Sequence, residues 1–157
     1  MGRYIYPYPR PIATADVVVL AHKKGASQRA PGDDLFVLSI KRRNDPYANC
    51  WALPGGYLEE NEPPMAGAAR DLEEETGLSG LVLHELGFFG APGRDPRGWT
   101  ITLAYWTILP DDCQAGNIAK AGDDAAEAGW FPANDLPPLA FDHVEIVQRA
   151  ISDSNPG

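Results

Sequence analysis

The sequence is poor in sulfur-containing residues and has no long apolar run. Only two of its 157 residues are cysteine, Cys50 and Cys113. Two cysteines cannot build the disulfide framework of a small secreted protein, which favours a reducing compartment. No apolar run approaches the roughly 20 residues that a membrane span needs, and residues 1–7 lack the apolar core of a secretory signal. We therefore expect a cytoplasmic protein that does not act at a membrane.

Basic residues are scarcer than acidic ones. The chain has 13 Lys and Arg against 22 Asp and Glu, which gives a formal net charge of −9. A nucleic-acid-binding surface needs a basic stripe, so we expect no nucleic-acid partner. Apolar residues make up 44% and charged residues 22% of the chain, as in an ordinary globular protein. Because neither a repeat nor a linker interrupts a chain of this length, we expect a single domain over residues 1–157.

Glycine and proline are abundant, with 16 and 15 copies, and predict many turns between short strands. Apolar and β-branched runs predict strands at 12–20, 35–40, 51–53, 81–89, 99–109 and 128–131. Two helices are predicted, one opened by Pro63 and Pro64 and ended by Gly77, and one capped by Asp142. These elements do not alternate regularly, so we expect an α/β (α+β) fold with a mixed sheet and helices packed on it.

The first predicted helix has an apolar stripe. Met65, Ala68, Ala69 and Leu72 recur every three or four residues, a spacing that predicts one buried face. Asn61 or Glu62 is predicted to cap its first turn. In the second helix we expect Val144, Val147, Ala150 and Ile151 to face inward and residues 152–157 to fray.

The negative charge is concentrated in one segment. Residues 54–78 carry −6 and a single base, Arg70, whereas the other 132 residues carry only −3. The acidic residues of this segment are Glu59, Glu60, Glu62, Asp71, Glu73, Glu74 and Glu75. On a helix, carboxylates one turn apart repel by roughly a few tenths of a kcal/mol each. A divalent cation such as Mg²⁺ would turn that repulsion into coordination; the alternative is a solvated acidic face.

The spacing within this segment is more specific than its charge. From Gly56 the chain reads Gly, five residues, Glu62, seven residues, and then R-D-L-E-E-E-T-G-L over residues 70–78. The pattern over 56–78 resembles the Nudix box, G-x5-E-x7-R-E-U-x-E-E-x-G-U, where U is a bulky aliphatic residue. Every fixed position matches except one, where Asp71 replaces glutamate. Six exact matches, with bulky aliphatic residues at both U positions, would coincide by chance about once in 10⁸ starts.

This resemblance implies a Nudix hydrolase. Members of that superfamily share an α/β/α sandwich and cleave a nucleoside diphosphate linked to another moiety, with Mg²⁺ or Mn²⁺ as cofactor. By the same resemblance, Glu74 and Glu75 are the principal metal ligands and the Gly55 carbonyl is a further one. Neither cysteine is needed as a nucleophile.

The resemblance also implies roles for the remaining residues of the box. Arg70 would orient the metal-binding carboxylates, and Glu62 would support Arg70. Asp71 takes a position that in the family is a metal-binding or base-supporting carboxylate, and it is one methylene shorter than the usual glutamate. With Glu74 and Glu75, these residues form the predicted catalytic set.

Segments outside the box resemble the ADP-ribose pyrophosphatase branch. They lie at 8–11, 51–56, 93–99 and 139–143, and they imply that ADP-ribose is hydrolysed to AMP and ribose 5-phosphate. Arg94, Asp95 and Arg97 are predicted to contact substrate, because arginine can bind phosphate in a bidentate manner; the alternative is a turn with solvated charges. Arg42, at a predicted strand end, is a further predicted phosphate contact, against the alternative of an exposed charge.

Two acidic residues near the C-terminal part of the chain are predicted as additional metal ligands. Asp124 and Glu127 lie where family members often place one more acidic ligand, although a turn or cap residue is the alternative. Residues 22–34 form a longer and more basic insertion than a hairpin needs. The sequence assigns no role to that insertion.

Three functions remain open at this stage. The first is hydrolysis of ADP-ribose, the second is the same chemistry on nucleoside triphosphates, oxidised or ordinary, and the third is a sensor that binds ADP-ribose without cleaving it. The nearly intact box favours an enzyme, and we expect no DNA-binding extension after Ile151. Relatives are often dimers, so a homodimer is a further expectation. Neither the general base nor the number of metal ions follows from the sequence.

Overall fold

A computed structural model describes residues 3–22, 35–110 and 125–154. In those ranges the elements are β1 Ile12–His22, β2 Leu35–Arg42, β3 Trp51–Ala52, β4 Gly55–Tyr57, α1 Pro64–Thr76, β5 His84–Phe89, β6 Thr100–Ile108, β7 Ala125–Pro132 and α2 His143–Ser154. The predicted mixed sheet with two helices is confirmed. Cys113, Asp124 and residues 23–34 of the insertion lie outside the described residues. Neither of the two helices is long and apolar enough to cross a membrane.

Strand β1 is the centre of the sheet. It pairs in parallel with β6 from Ile12, opposite Thr100, to Leu20, opposite Ile108. Along its other edge, the first half pairs antiparallel with β4 and the second half with β2. Strand β2 also pairs with β3 and β7, and β5 pairs with β6. Because β1 has neighbours on both edges, it fixes the position of every element around it.

The two helices cover opposite faces of β1. Val17 packs in one core cluster with Leu72 of α1, whereas Val18 packs in a second cluster with Ile146 of α2. All four side chains are buried. A strand buried on both faces reads as a continuous apolar run rather than as an alternation, which is why residues 12–20 predicted it clearly. The layers form the α/β/α sandwich expected from the resemblance.

Strand β4 is a short element that the sequence did not predict. The Pro54-Gly55-Gly56 segment ends β3 as expected, but Gly55 then pairs with Asp16 of β1. A Cβ atom on Gly55 would overlap the Ala15 carbonyl oxygen and lie 2.9 Å from the Asp16 Cα. Only glycine therefore allows β4 to approach β1 so closely.

The predicted buried face of α1 is partly wrong. Ala68 and Leu72 are buried as expected, but Met65 is 42% exposed and Ala69 is also exposed. The other buried residues of the helix are Gly67, Asp71, Glu75 and Thr76. Positions three or four apart share a helix face, so burying Ala68 and Leu72 also turns two carboxylates inward.

The ends of α1 differ in how well the sequence predicted them. The helix ends at Gly77 as predicted, in a left-handed conformation with φ 79°, and the Gly77 N–H donates to the Glu73 carbonyl. At the other end, Pro63 is the N-cap and no side chain caps the helix, so the predicted cap by Asn61 or Glu62 is wrong. The Glu62 carboxylate binds Arg70 instead.

Three further elements differ in their bounds from the prediction. The strand predicted from residue 81 begins at His84, and β7 is longer at both ends than the predicted 128–131. Helix α2 reaches Ser154, where fraying was predicted, and Val144 is 41% exposed rather than inward-facing. The buried residues of α2 are His143, Ile146, Val147 and Ala150, because this stripe is the one that faces β1.

Candidate active site

A cavity of about 340 Å³ opens between α1, β4, the end of β2 and the start of α2. Its lining includes five carboxylates. Asp95 is bound to Arg97, and the other four are called here the cavity carboxylates: Asp16, Asp71, Glu74 and Glu75. It also includes four arginines away from the helix, called here the cavity arginines: Arg42, Arg43, Arg94 and Arg97. A cavity that joins anionic and cationic side chains can bind a metal ion and a polyanion together.

Arg70 organises the carboxylates of α1. Its Nε donates to Glu62 Oε2 at 2.8 Å and its Nη2 to Glu62 Oε1 at 2.9 Å. Its Nη1 donates to Asp71 Oδ1 at 2.9 Å and to Glu74 Oε2 at 3.4 Å. The bidentate bond from Arg70 lowers the pKa of Glu62 to about 2, and Glu62 in turn raises the pKa of Arg70. These contacts are the ones that the predicted roles of Glu62 and Arg70 require.

Asp71 is a buried carboxylate with one oxygen left over. Its Oδ1 accepts from Arg70, while its Oδ2 is buried without a hydrogen-bond partner. Burial raises the pKa of Asp71 to about 6, although the Arg70 charge acts in the opposite direction. A Cβ on Gly56 would lie 3.1 Å from Oδ2, so this glycine keeps space open beside it. A buried oxygen that has no hydrogen-bond partner and lies next to a cavity is suited to coordinate a cation.

Glu75 and Glu74 differ in how firmly they are held. The backbone N–H of Gly55 donates to Glu75 Oε1 at 3.0 Å, which ties β4 to α1. The side chain of Glu74 is 50% exposed and lies at the cavity mouth. In the described ranges, no three acidic, histidine or cysteine side chains are grouped closely enough to form a metal site on their own. The oxygen donors nevertheless fit a hard divalent cation, since the Asp71 oxygen lacks a partner and Mg²⁺ retains water ligands.

Asp16 is a cavity carboxylate that sequence reasoning missed. It is buried on β1, where its Oδ2 accepts from the Thr102 hydroxyl and its Oδ1 lies 3.7 Å from His143 Nε2. The signal was present in the sequence, because Asp16 interrupts the apolar run of residues 12–22. A charged residue inside a buried strand is rare unless it is paired.

The predicted substrate-binding residues all line the cavity, but most of their polar atoms are occupied. Arg94 donates to both carboxylate oxygens of Asp142, at 2.9 and 2.7 Å. Arg97 donates to both oxygens of Asp95, at 3.0 and 2.8 Å. These pairs satisfy two of the four cavity arginines from within the protein.

Arg42 is different from these two arginines. Its Nε donates to the Pro46 carbonyl at 2.9 Å, and its Nη atoms have no carboxylate or carbonyl partner among residues 3–22, 35–110 and 125–154. Burial lowers the pKa of Arg42 and the nearby Arg97 charge lowers it further, although the charges of Glu75 and Asp95 act in the opposite direction. A half-buried guanidinium with free donors beside a second cation is suited to an anionic ligand.

Of the two additional acidic ligands predicted beyond the box, the described part of the chain contains Glu127 alone. Glu127 lies opposite Lys41 in the β2–β7 pairing, and the Lys41 Nζ is 3.7 Å from its Oε1. Neither Lys41 nor Glu127 lines the cavity, whereas Arg42, which follows an irregularity in the β2–β7 pairing, does. Asp124 lies outside the described residues.

Known proteins resemble the chain over most of its length. A family model described as the NUDIX domain matches residues 12–150. An "ADP-ribose pyrophosphatase" of Methanocaldococcus jannaschii is 46% identical over 115 residues, which are 73% of this chain and 65% of that protein. An "ADPR responsive transcriptional repressor NtrR" of Acinetobacter baylyi is 32% identical over 152 residues, which are 94% of this chain and 56% of that protein. The chain thus spans less than two thirds of either relative.

A solved structure with the same fold contains a nucleotide. The "NUDIX domain of Shewanella oneidensis NrtR complexed with ADP ribose" superposes with a TM-score of 0.79 at 26% identity. The match covers 96% of this chain and 94% of that one. The layers described above are therefore those of that domain.

Proposed function

Since the chain belongs to the Nudix family, we propose that it is a metal-dependent pyrophosphohydrolase that cleaves ADP-ribose into AMP and ribose 5-phosphate. One observation carries the proposal: a single cavity joins the carboxylates of the box helix to the free guanidinium donors of Arg42. A diphosphate ester needs both, because its negative charge must be neutralised while water attacks. The 46% identity to an ADP-ribose pyrophosphatase supports the choice of substrate; that relative is longer than this chain.

We assign Mg²⁺ or Mn²⁺ to Asp71, Glu74, Glu75 and the Gly55 carbonyl. A bound ion of this kind supplies charge neutralisation at phosphate and lowers the pKa of a bound water. The protein's own part is positional. Arg70 holds the carboxylates of Asp71 and Glu74, and the Gly55 N–H holds Glu75.

We assign the substrate diphosphate to Arg42 first. Its Nη atoms are donors that the cavity leaves open, and Arg43 also lines the cavity, whereas Arg94 and Arg97 are each bound to a carboxylate of the protein. In this assignment Arg94, Asp95 and Arg97 shape the cavity. The sequence had predicted that they contact the substrate directly. Lys41 and Glu127 take no part.

Residues 1–157 act, in this proposal, as one Nudix domain in the cytoplasm, without a nucleic-acid partner. The net charge of −9 and the two cysteines support those two points. We also propose a homodimer, which sedimentation would test. None of these points affects the chemistry assigned to the cavity.

A second candidate function is an ADP-ribose sensor without catalysis. The similarity to a transcriptional repressor described as ADPR-responsive favours it. Arg42 and the cavity lining would serve binding equally well. The two functions differ in whether the carboxylates of α1 hold a catalytic metal ion.

The purified protein distinguishes the two functions directly. Incubated with ADP-ribose and Mg²⁺, it should release AMP and ribose 5-phosphate in equal amounts, and EDTA should stop the release. Calorimetry with ADP-ribose in EDTA then measures binding separately from turnover. Tight binding without product, with either Mg²⁺ or Mn²⁺, would favour the sensor and overturn the hydrolase.

A further inference from the structure

Three consecutive residues at the start of α2 contact three separate parts of the cavity lining. They are Phe141, Asp142 and His143, and they follow the last loop before the helix. Phe141 and His143 themselves line the cavity. None of the three belongs to the box helix, and the assignments above give them no role.

The Phe141 ring lies close to two cavity arginines. The Arg42 Cζ is 5.0 Å from the ring centroid and the Arg97 Cζ is 5.3 Å from it. The Tyr47 ring packs on Phe141 at 4.7 Å, and Arg97 also lies 4.9 Å from the Tyr57 ring. Guanidinium groups are attracted to aromatic faces, so the ring holds two like charges at one edge of the cavity.

Asp142 fixes the loop that carries the other predicted substrate contacts. Its carboxylate accepts two hydrogen bonds from Arg94, whose side chain is only 4% exposed. Arg94 and Asp142 are 48 residues apart in sequence. The pair therefore joins the loop before β6 to the beginning of α2.

His143 reaches the turn between β3 and β4. Its Nδ1 accepts from the Leu53 N–H at 3.0 Å, so in the neutral ring the proton is on Nε2, which faces Asp16. Leu53 comes two residues before Gly55, whose N–H binds Glu75. The buried imidazole thus fixes the segment that is assigned to the metal ion.

The backbone at Phe141 is an independent sign of constraint. Its φ is 54°, in the left-handed region that a large side chain rarely adopts. Such a conformation persists only where the surroundings impose it, and it is commonest at functional sites. The contacts of Asp142 and His143 on one side and of the Phe141 ring on the other impose it here.

We propose that Phe141 and His143 are positioning residues with divided tasks, in which Phe141 aligns Arg42 for the substrate anion and His143 holds the Gly55 turn for the metal ion. Asp142 anchors the junction between them. This inference rests on the proposed function for the identity of the two ligands. Its distinctive consequence is that the two side chains affect different affinities.

The test measures the two affinities separately. ADP-ribose binding is titrated by calorimetry in EDTA, and Mn²⁺ binding is titrated by electron paramagnetic resonance without nucleotide. Phe141→Leu should weaken ADP-ribose binding about fivefold or more and leave Mn²⁺ affinity within about twofold. His143→Ala should weaken Mn²⁺ binding about tenfold and leave ADP-ribose affinity nearly unchanged.

Conservative variants should restore each affinity. Phe141→Tyr keeps the aromatic face and should bind ADP-ribose nearly as the wild type does. His143→Asn places an acceptor near the Nδ1 position and should recover most of the Mn²⁺ affinity. Val144→Ala, at a 41% exposed position in the same turn, is the matched control and should change neither affinity. If Phe141→Leu does not fold, Phe141→Met replaces it.

Several results would overturn the inference. One is that both variants weaken the binding of ADP-ribose and of Mn²⁺ equally and also lower the unfolding temperature. That pattern would indicate a merely structural role. Another is unchanged affinity in both variants. A wild type that binds both ligands without cleaving ADP-ribose would refute the proposed function and leave this comparison intact. A wild type that does not bind ADP-ribose would refute the Phe141 part as well, and Mn²⁺ binding would still decide the His143 part.

Discussion

Glu73 and Glu74 are adjacent residues with the same charge and different surroundings. Glu74 lines the cavity and contacts Arg70, whereas Glu73 is exposed and does not line it. Glu74→Gln removes a metal-binding charge and little volume, so we expect kcat for ADP-ribose to fall about 100-fold or more. Glu73→Gln, the matched control, should keep kcat within about twofold. Steady-state rates with Mg²⁺ measure both, and circular dichroism checks the fold.

Near-wild-type turnover by Glu74→Gln would contradict the assignment of that residue to the metal ion. Equal losses in the two variants would point to general loss of negative charge on α1. The two residues differ by a single position, so helix propensity and net charge are matched.

Asp71 should make the metal-free protein sensitive to pH. Its pKa is raised by burial from 3.8 to about 6, so between these values the folded state binds the proton more tightly than the unfolded state does. Stability from this group is therefore present at low pH and is lost as pH rises toward 6 and above. In EDTA, Asp71→Asn should be more stable than the wild type at pH 8, by on the order of 1 kcal/mol.

The same comparison at pH 4 is the control for Asp71. There the wild-type carboxyl is largely protonated, so the difference in the free energy of unfolding should shrink. Urea titrations at the two pH values measure it. A variant that is less stable than the wild type at pH 8 would mean that the ion pair with Arg70 outweighs burial.

At the residue scale, the sequence predicted contacts within the box and missed contacts between distant segments. The spacing from Glu62 to Arg70 is local and belongs to a specific pattern, so their pairing could be foreseen. The Arg94–Asp142 pair spans 48 residues, and no local signal links the two. Asp16 could have been predicted as a site residue, because a single acidic residue inside a buried strand indicates a specific partner or function.

At the scale of single elements, β4 offers two adjacent glycines with different constraints. A Cβ on Gly55 would meet backbone atoms of β1, whereas the nearest atom to a Cβ on Gly56 would be Asp71 Oδ2, at 3.1 Å. Gly55→Ala should cost about 2–3 kcal/mol or more, because the strands must separate. Gly56→Ala should lower the free energy of unfolding by no more than about 1 kcal/mol. It should nevertheless weaken Mn²⁺ binding, because the added methyl group contacts Asp71.

Urea unfolding of the two variants gives the free energies for this comparison. If Gly55→Ala were as stable as Gly56→Ala, the close pairing of β4 with β1 would be wrong. A Gly56→Ala variant with unchanged Mn²⁺ affinity would argue against a role for Asp71 Oδ2 at the metal ion.

The sequence predicted an element accurately where a local pattern of residues determines that element. Strand β1 could be predicted because both of its faces are apolar. The end of α1 at Gly77 could be predicted because glycine readily adopts the left-handed conformation found there. The buried face of α1 was predicted wrongly because Asp71 and Glu75 are buried beside a cavity. At such a site a polar side chain need not be exposed to solvent. Strand β4 was missed because its three residues carry no periodicity.

At the scale of the whole molecule, the charge of −9 divides between an ordinary surface and one functional segment. Residues 54–78 hold −6, and part of that charge faces the cavity. A cation bound at 100 times its dissociation constant stabilises a protein by about 2.7 kcal/mol. We therefore expect Mn²⁺ to raise the unfolding temperature of the wild type well above its value in EDTA, and to do so far less in Glu74→Gln.

Screening of a net negative charge could raise stability without any site, so this prediction needs two controls. Glu145→Gln on α2 removes an exposed charge away from the cavity and should keep the full Mn²⁺ effect. NaCl at equal ionic strength should not reproduce that effect. Equal shifts in Glu74→Gln and Glu145→Gln would show that screening, rather than a bound ion, explains the stabilisation.

The central claim is that this cavity hydrolyses ADP-ribose, and a substrate comparison tests it most directly. The measurement is kcat/KM with Mg²⁺ for ADP-ribose and for a panel of ordinary and oxidised nucleoside triphosphates, at one protein concentration. We predict the highest value for ADP-ribose, with AMP and ribose 5-phosphate as products. A triphosphate turned over as fast as ADP-ribose, or faster, would contradict the claim.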